Sequence, residues 1–385
     1  MKPSDVKSLA DLAHFDPQLC VIKLGSAVLT TGVGQLDMGV LERVAEFVSA
    51  RLERGKYTLI VSSGAVASGI GAMGLASRPK GLPAKQALAA IGQTRLVASW
   101  GEAFAKYDRR VAQLLLTAKD FDDRRRYLNI RFTLEQLFEF GVVPIFNEND
   151  TVTVDELRFG DNDNLACLLA VKMMAESLII LSGVDGLYRS MPKRGEKPDI
   201  VEVVPEITPE IEAMAGTEVS SVGTGGMASK LAVARHASHV GIPTILASGK
   251  RPGILKDLFA GKGGGTLFLG KAGAHLSRRE RFIAFNRISP RGRVFIDDGA
   301  VKALVVQKKS LLPAGVKRTE GDYARHDVIE VVAQDGHVLA RGMTNYAAAE
   351  VEKILGRRTG EIEKILGARD YDEIIHRDNL VVIEE

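Results

Sequence analysis

Ten carboxylate or amide side chains fall within eighteen positions: Asn147, Glu148, Asn149, Asp150, Asp155, Glu156, Asp161, Asn162, Asp163 and Asn164. Capping and turn chemistry accounts for one such Asp-Asn pair, but two clusters twelve residues apart, with Gly160 beside the second, ask for more. Carboxylates here can hold a divalent cation or orient lysines, and amides can position a polar substrate. Three further segments carry matching groups. Lys23-Leu-Gly-Ser26 sets a point charge beside a glycine whose backbone N–H can approach a phosphate, although the lysine precedes the glycine, unlike the Gly-x-x-x-x-Gly-Lys loop. Ser62-Ser-Gly-Ala65 offers hydroxyls and close backbone approach; without a Gly-x-Ser-x-Gly turn or a matching His/Asp set it reads as binding rather than covalent catalysis. Val222-Gly-Thr-Gly-Gly-Met-Ala-Ser-Lys230 is a glycine-rich loop running into a helix, able to bend around phosphate oxygens with Lys230 following the charge of a transferring group. Lysines, a glycine loop and a carboxylate/amide cluster are the parts that phosphoryl transfer needs. Gly261-Lys-Gly-Gly-Gly265 shares the composition but follows no clear strand, and reads as a linker.

The elements that must position these groups alternate. Apolar runs at Leu19–Leu24, Tyr57–Val61, Val111–Leu116, Val142–Phe146, Ser177–Leu181 and Pro243–Ala247 read as strands. Helical spacing is expected over Met38–Arg54, Lys85–Tyr107, Asn129–Phe140, Leu165–Ala175 and Met227–Val240, with Asp161 or Asn162 capping the helix that follows. The strands are continuous apolar runs, as when helices cover both faces, so the fold class is α/β with a mainly parallel open sheet sandwiched by helices. Each strand ends in a polar or glycine-rich turn, which gathers the chemistry along one edge. After residue 261 the pattern changes to short runs at Gly292–Ile296, Ala303–Val306, Val328–Ala333 and His337–Gly342 separated by Asp-Gly turns, followed by short helices and a tail. The expected division is 1–270, a linker at 271–289, and a small β-rich domain with its tail at 290–385.

The 385 residues are 45% hydrophobic and 26% charged with a net charge of +3, an ordinary globular composition. No apolar run approaches membrane-spanning length, the N-terminus does not read as a signal peptide, and Cys20 and Cys167 have no metal or redox spacing, so a reduced cytoplasmic setting is expected. Residues 271–318 carry twelve Lys/Arg against three Asp/Glu, and 319–385 eight against fifteen. The basic band is either a solvated linker face or an anion or nucleic-acid surface.

Val21-Ile-Lys-Leu-Gly-Ser26, Ser62-Ser-Gly-Ala65, Phe146-Asn-Glu-Asn-Asp150, Gly160-Asp-Asn-Asp-Asn164 and Gly223-Thr-Gly-Gly-Met-Ala-Ser-Lys230 resemble, in order and approximate spacing, the glutamate 5-kinases of the amino-acid kinase superfamily. The β-rich C-terminal part resembles their appended PUA domain, so the resemblance covers nearly the whole chain. It implies ATP- and Mg2+-dependent phosphorylation of the γ-carboxylate of L-glutamate, the first committed step of proline synthesis. Carried onto this chain, it implies that Lys23 and Lys230 stabilise the transferring group and that Asp161 organises those lysines and the metal environment. Ser63, Asp150 and Asn162 would bind glutamate, Asp150 at its ammonium. Lys23, Gly25, Ser26, Ser182, Gly183, Thr224, Gly225, Gly226, Met227, Ala228, Ser229 and Lys230 would contact the nucleotide. The resemblance names no direct metal ligand. It further implies proline as a feedback inhibitor near the glutamate pocket and a homo-oligomer, dimer or tetramer. One departure stands out: the family commonly has Thr-Asp or Ser-Asp after the fifth strand, where this chain has Ser182-Gly183, with Asp185 the nearest carboxylate.

Two other readings compete. A different carboxylate kinase of the same fold is disfavoured by the paired clusters at 147–150 and 160–164. RNA binding through the PUA-like part is suggested by the basic band, and opposed by the acidic stretch after it and the lack of an aromatic stacking pattern.

Overall fold

Strands that are apolar on both faces need helices on both sides, and the computed structural model of the chain supplies them. It describes residues 1–32, 34–152, 161–190, 196, 198–215, 226–271, 291–368 and 370–383, the side chains of Arg124 and Asp161 excepted. The chain divides into two units, Met1–His275 and Leu276–Glu385. The expected linker at 271–289 lies almost wholly outside the described residues.

In the first unit β1 (Leu19–Leu24) leads through the short α1 (Ser26–Leu29) and a hairpin, β2 (Thr30–Thr31) and β3 (Gln35–Leu36), into α2 (Met38–Glu53). Then come β4 (Tyr57–Ser62), α3 (Ala65–Ala72), α4 (Leu82–Ala105), β5 (Val111–Leu116), α5 (Arg124–Glu139), β6 (Val143–Glu148) and α6 (Asp161–Lys172). β7 (Ser177–Ser182), β8 (Val203–Val204), α7 (Pro209–Ala213), α8 (Met227–His239), β9 (Thr244–Ser248), α9 (Ile254–Phe259) and β10 (Thr266–Phe268) follow. The sheet order is β5-β6-β4-β1-β7-β9-β10-β8. The first six of these are mutually parallel, β10 runs antiparallel to β9, and β8 is parallel to β10. From β1 the chain moves to β4 on one side; from β7 it moves to β9 on the other. The order therefore reverses between neighbours β1 and β7, and the crevice beyond their carboxyl ends is where an open α/β sheet binds ligands.

Helix starts follow their caps: Asp37 accepts from the Val40 N–H at 3.1 Å and Asp123 from the Arg126 N–H at 2.9 Å. α3 and α4 pack backbone to backbone. A Cβ on Gly69 would lie 2.0 Å from the Leu88 carbonyl oxygen, and one on Gly92 1.9 Å from that of Ala65, so only glycine fits at either.

The second unit is a sheet ordered β12-β11-β13-β14-β15, with β11 at Gly292–Ile296, β12 at Val316–Gly321, β13 at Val328–Val332, β14 at Val338–Met343 and β15 at Leu380–Val382. Its core holds Val294, Ile296, Ile329, Val331 and Ile375. Buried Glu330 on β13 is flanked in register by Arg293 on β11 and Arg341 on β14, each 3.1 Å from one of its oxygens. Two guanidiniums thus compensate one buried carboxylate.

Several expectations are corrected. The apolar run Val142–Phe146 predicts a strand that stops before the polar cluster, but β6 runs on through Asn147 and Glu148, both buried. The run Ala303–Val306 predicts a strand; instead it closes a helix, Asp298–Val305, with Val306 as its C-cap, and Asp297 caps the start by accepting from the Ala300 N–H at 2.9 Å. The segment read as a tail contributes β15, and β8, β10 and β12 had no long apolar run to announce them. Among the described residues no helix is long and apolar enough to cross a membrane.

Lys172 closes α6 in a buried position, its carbonyl accepting from the Tyr127 hydroxyl at 3.1 Å. Burial pushes its ammonium down to about 7, with Asp122 opposing the shift. The unfolded chain then binds the extra proton between about pH 7 and the ordinary value of 10.5, so stability rises with pH across that window and the penalty is fully present below it. Lys172→Met is expected to remove this dependence. In urea unfolding, wild type should gain on the variant by up to about 1.4 kcal/mol per pH unit from pH 7 to 10; parallel curves would place the proton elsewhere.

Candidate active site

Three charged groups that composition would place in water are buried together at the reversal of strand order. Lys23 on β1 is 6% exposed, Asp163 on α6 1%, and Lys230 on α8 6%. Lys23 Nζ lies 2.6 Å from Asp163 Oδ1, and Lys230 Nζ 3.2 Å from Asp163 Oδ2. The Ser229 hydroxyl donates to Oδ2 at 3.0 Å, and Lys230 also reaches the Gly226 carbonyl, the cap of α8, at 3.4 Å.

Burial pushes the Asp163 carboxyl up, but Lys23 and Lys230 more than offset it and hold it below the ordinary value. Burial depresses the Lys230 ammonium, Asp163 opposing and Lys23 adding to the shift. Two ammoniums share one carboxylate, so the cluster is a net cation at a strand edge and fits an anion with several oxygens. Beside it, Gly25 donates its N–H to the Leu181 carbonyl at 3.1 Å and opens α1. A Cβ at Gly25 would sit 3.6 Å from Lys23 Nζ, in ordinary contact, which places this backbone turn directly beside that ammonium.

A second, neutral group of side chains lies alongside. Asn162 donates its amide to Ser63 Oγ at 3.0 Å and to Asn147 Oδ1 at 2.9 Å. Asn147 donates to Gln93 Oε1 on α4 at 2.8 Å. The strand end carrying Ser63 is secured from α4 as well, where buried Trp100 donates its indole N–H to Ser62 Oγ at 2.9 Å. Asp150 sits half-buried in the turn just past β6, at the same sheet edge.

The structure thus brings Lys23, Lys230, Ser63 and Asn162 to one edge, with Gly25, Ser26, Ser182 and Gly183 at adjoining strand ends. The carboxylate seen between the two lysines is Asp163. Asp161 opens α6 and its side chain lies outside the described residues, whereas both Asp163 oxygens are engaged by lysines. No stripe on α6 marks Asp163 in advance, because the helix is buried on every side from Leu165 to Lys172. Asp161 or Asn162 is expected as the cap; both lie inside the helix, and Asn162 is turned sideways into the amide group. Thr224 and Gly225 lie outside the described residues, and Gly226 to Lys230 form the cap and first turn of α8. Asp185, the nearest carboxylate to Gly183, is exposed and accepts from the Tyr188 hydroxyl at 3.4 Å. Gln93 and Trp100 have no role in the sequence reading, because nothing local sets them apart within a long helix, and Asn147 has none there beyond its place in the polar cluster.

Residues 18–248 match the model of the amino acid kinase family and residues 292–366 that of the PUA domain. A glutamate 5-kinase of Geobacter metallireducens is 49% identical over 363 residues, covering 94% of this chain and 97% of its own. The chain belongs to the glutamate 5-kinase family. Enzymes of the same name from Pelobacter propionicus and Geobacter sulfurreducens are 46% and 47% identical, each over 94% of this chain and 97% of theirs. Among solved structures, a UMP kinase of Bacillus anthracis is similar at 16% identity, with a TM-score of 0.46 over 66% of this chain. Family membership accounts for the two-part architecture, a mainly parallel kinase sheet with a β-rich PUA domain appended.

Proposed function

We propose that this glutamate 5-kinase family member moves the terminal phosphoryl group of ATP to the γ-carboxylate of L-glutamate, giving L-glutamyl 5-phosphate, and so opens proline biosynthesis. The observation that carries the reading is the buried Lys23–Asp163–Lys230 cluster, with its 2.6 and 3.2 Å contacts. A phosphoryl group in flight carries charge on its peripheral oxygens, and fixed ammoniums in a dry site stabilise it without reorganising. Asp163 holds both ammoniums in place before ATP arrives. The acceptor needs no general base, because a glutamate side chain with a pKa of about 4.3 is already a carboxylate at neutral pH. Its γ-oxygen forms the new bond to phosphorus as the bond to the ADP oxygen breaks, and ADP leaves with that electron pair.

Ser63, Asn162 and Asp150 take the acceptor, Asp150 facing its α-ammonium. Gly25, Ser26, Ser182, Gly183 and the turn from Thr224 to Lys230 take the nucleotide, with the N–H groups of the first turn of α8 aimed at phosphate. For Mg2+ the fit is poor. Among the described residues no group of three or more His, Cys, Asp or Glu could hold a metal ion, and Asp163 is engaged by two lysines. The reading therefore has any Mg2+ carried in on the nucleotide's phosphates, as is usual for this ion. Proline inhibition at the glutamate pocket, a dimeric or tetrameric assembly and a cytoplasmic setting are proposed on family resemblance alone. The kinase unit is proposed to span 1–270, joined through 271–289 to the PUA domain. RNA binding by that domain gains little support. Arg291, Arg293, Lys317 and Arg318 in the basic band are all ion-paired within the unit.

Turnover with Mg-ATP and L-glutamate, trapping the acyl phosphate with hydroxylamine, tests the reaction. Hydroxamate formed with glutamate but not with aspartate or N-acetylglutamate is expected; hydroxamate from aspartate or N-acetylglutamate instead would overturn the substrate. Gly183 gives a check on the nucleotide side. A Cβ there meets only Ala27 Cβ, at 3.6 Å, so a side chain fits. Gly183→Asp is expected to leave stability within about 0.5 kcal/mol and to lower the KM for ATP about fivefold, the worth of one hydrogen bond. A change in the glutamate KM alone would remove this position from the nucleotide site.

A further inference from the structure

The amide group beside Ser63 has only one consistent set of orientations, and that set begins outside the residues so far given a role. The Glu148 backbone N–H can only donate. It donates to Asn147 Oδ1 at 3.0 Å and to Asn162 Oδ1 at 3.2 Å, which fixes both amides with their oxygens toward it. Asn162 Nδ2 must then be the donor to Ser63 Oγ and to Asn147 Oδ1, and Asn147 Nδ2 the donor to Gln93 Oε1. Because Ser63 Oγ receives a proton from Asn162, its own hydroxyl proton is directed elsewhere. Ser63 is half-buried at the sheet edge, open to an incoming group. A hydroxyl set in this way is a donor, suited to a carboxylate.

We infer that Gln93 and Asn147 are positioning residues for the acceptor: Gln93 pins the Asn147 amide, and Asn147 holds Asn162, so that Ser63 presents its proton to a carboxylate of the amino-acid substrate. The inference rests on the reading of Ser63 and Asn162 as glutamate contacts. The framework around Gln93 supports it. Gln93 is 9% exposed and Asn147 2%, so an amide left without its partner cannot turn to water. Gly92, the preceding residue, sits in the close α3–α4 contact, and α3 begins two residues after Ser63, so the helix carrying Gln93 and the strand end carrying Ser63 are fixed to each other. The network holds no charged side chain. It adds orientation, not electrostatic stabilisation of the transferring group, so its loss should appear in substrate binding before turnover.

Steady-state kinetics on full-length Gln93→Met, Gln93→Glu and Asn162→Ala test this. Gln93→Met keeps the volume and removes the acceptor; the KM for glutamate should rise about tenfold while that for ATP stays within about twofold. Gln93→Glu keeps an acceptor oxygen for Asn147 and should recover most of the loss. An unchanged glutamate KM in Gln93→Met, an equal loss in Gln93→Glu, or glutamate and ATP KM values rising together would each overturn the inference. Asn162→Ala separates the two levels. If it raises the glutamate KM while Gln93→Met does not, the positioning role fails and the substrate reading stands. If neither variant moves the glutamate KM, the substrate reading fails and takes the inference with it.

Discussion

Asp163→Asn is expected to cut kcat by about three orders of magnitude and to cost the fold about 3–5 kcal/mol. In the native cluster the carboxylate lies 2.6 Å from one buried ammonium and 3.2 Å from the other. An amide keeps the shape and removes the charge, leaving two cations facing each other with little water to screen them. One lysine must then lose its proton or swing away, and in either case the paired cations at the phosphoryl site are gone. Kinetics and urea unfolding on the same preparation check both halves. The pH dependence adds a sign. The Asp163 pKa is held below its ordinary 3.8 in the folded state. Its contribution to stability is therefore complete above that value and lost as pH falls through the folded pKa. The acid limb of the stability curve should be shallower in Asp163→Asn.

Lys230→Met should behave differently, and the contrast is informative. Turnover is expected to fall by about two to three orders of magnitude, because a charge aimed at the transition state is removed. Stability should barely drop. Burial already disfavours the Lys230 ammonium, and Asp163 retains Lys23 as its partner. The KM for glutamate should also hold, since Ser63, Asn162 and Asn147 are joined by bonds that do not involve Lys230. A variant with wild-type kcat would take Lys230 out of the mechanism. A large loss of stability would mean that the lysine serves the fold first.

Much of this arrangement is legible in the sequence. Long apolar runs ending in Lys-Leu-Gly-Ser, Ser-Ser-Gly and Ser-Gly report buried parallel strands whose carboxyl ends share an edge, and β1, β4 and β7 follow those runs within a residue. Lys23 and Lys230 carried their own signal, being cations set against glycine and a helix start. What escaped has physical reasons. Asp161 and Asp163 differ only in helical phase, and phase requires knowing that α6 begins at Asp161 rather than near Leu165. Asn147 and Glu148 look like loop because polar residues seldom end a buried strand, yet here the Asn147 amide reaches Gln93 on α4 and the Glu148 backbone N–H reaches the Asn147 and Asn162 oxygens. Gln93 is a polar residue in a long helix, and its partner Asn147 lies fifty-four positions on in the chain, a pairing no local pattern announces. Asp297-Asp-Gly299 reads equally as a turn or a helix start, and the cap to Ala300 decides it.

The central claim is that the lysine–carboxylate–lysine cluster delivers a phosphoryl group to a carboxylate oxygen of glutamate rather than to water. Glutamate carrying heavy oxygen in its γ-carboxylate tests this most directly, with the acyl phosphate cleaved by hydroxylamine and the released phosphate weighed by mass spectrometry. Hydroxylamine attacks the acyl carbon, so the bridging oxygen leaves with phosphorus. Phosphate bearing one heavy oxygen, formed in step with hydroxamate, is the expected result. Unlabelled phosphate accompanying ATP consumption would mean that water is the acceptor, and would contradict the account.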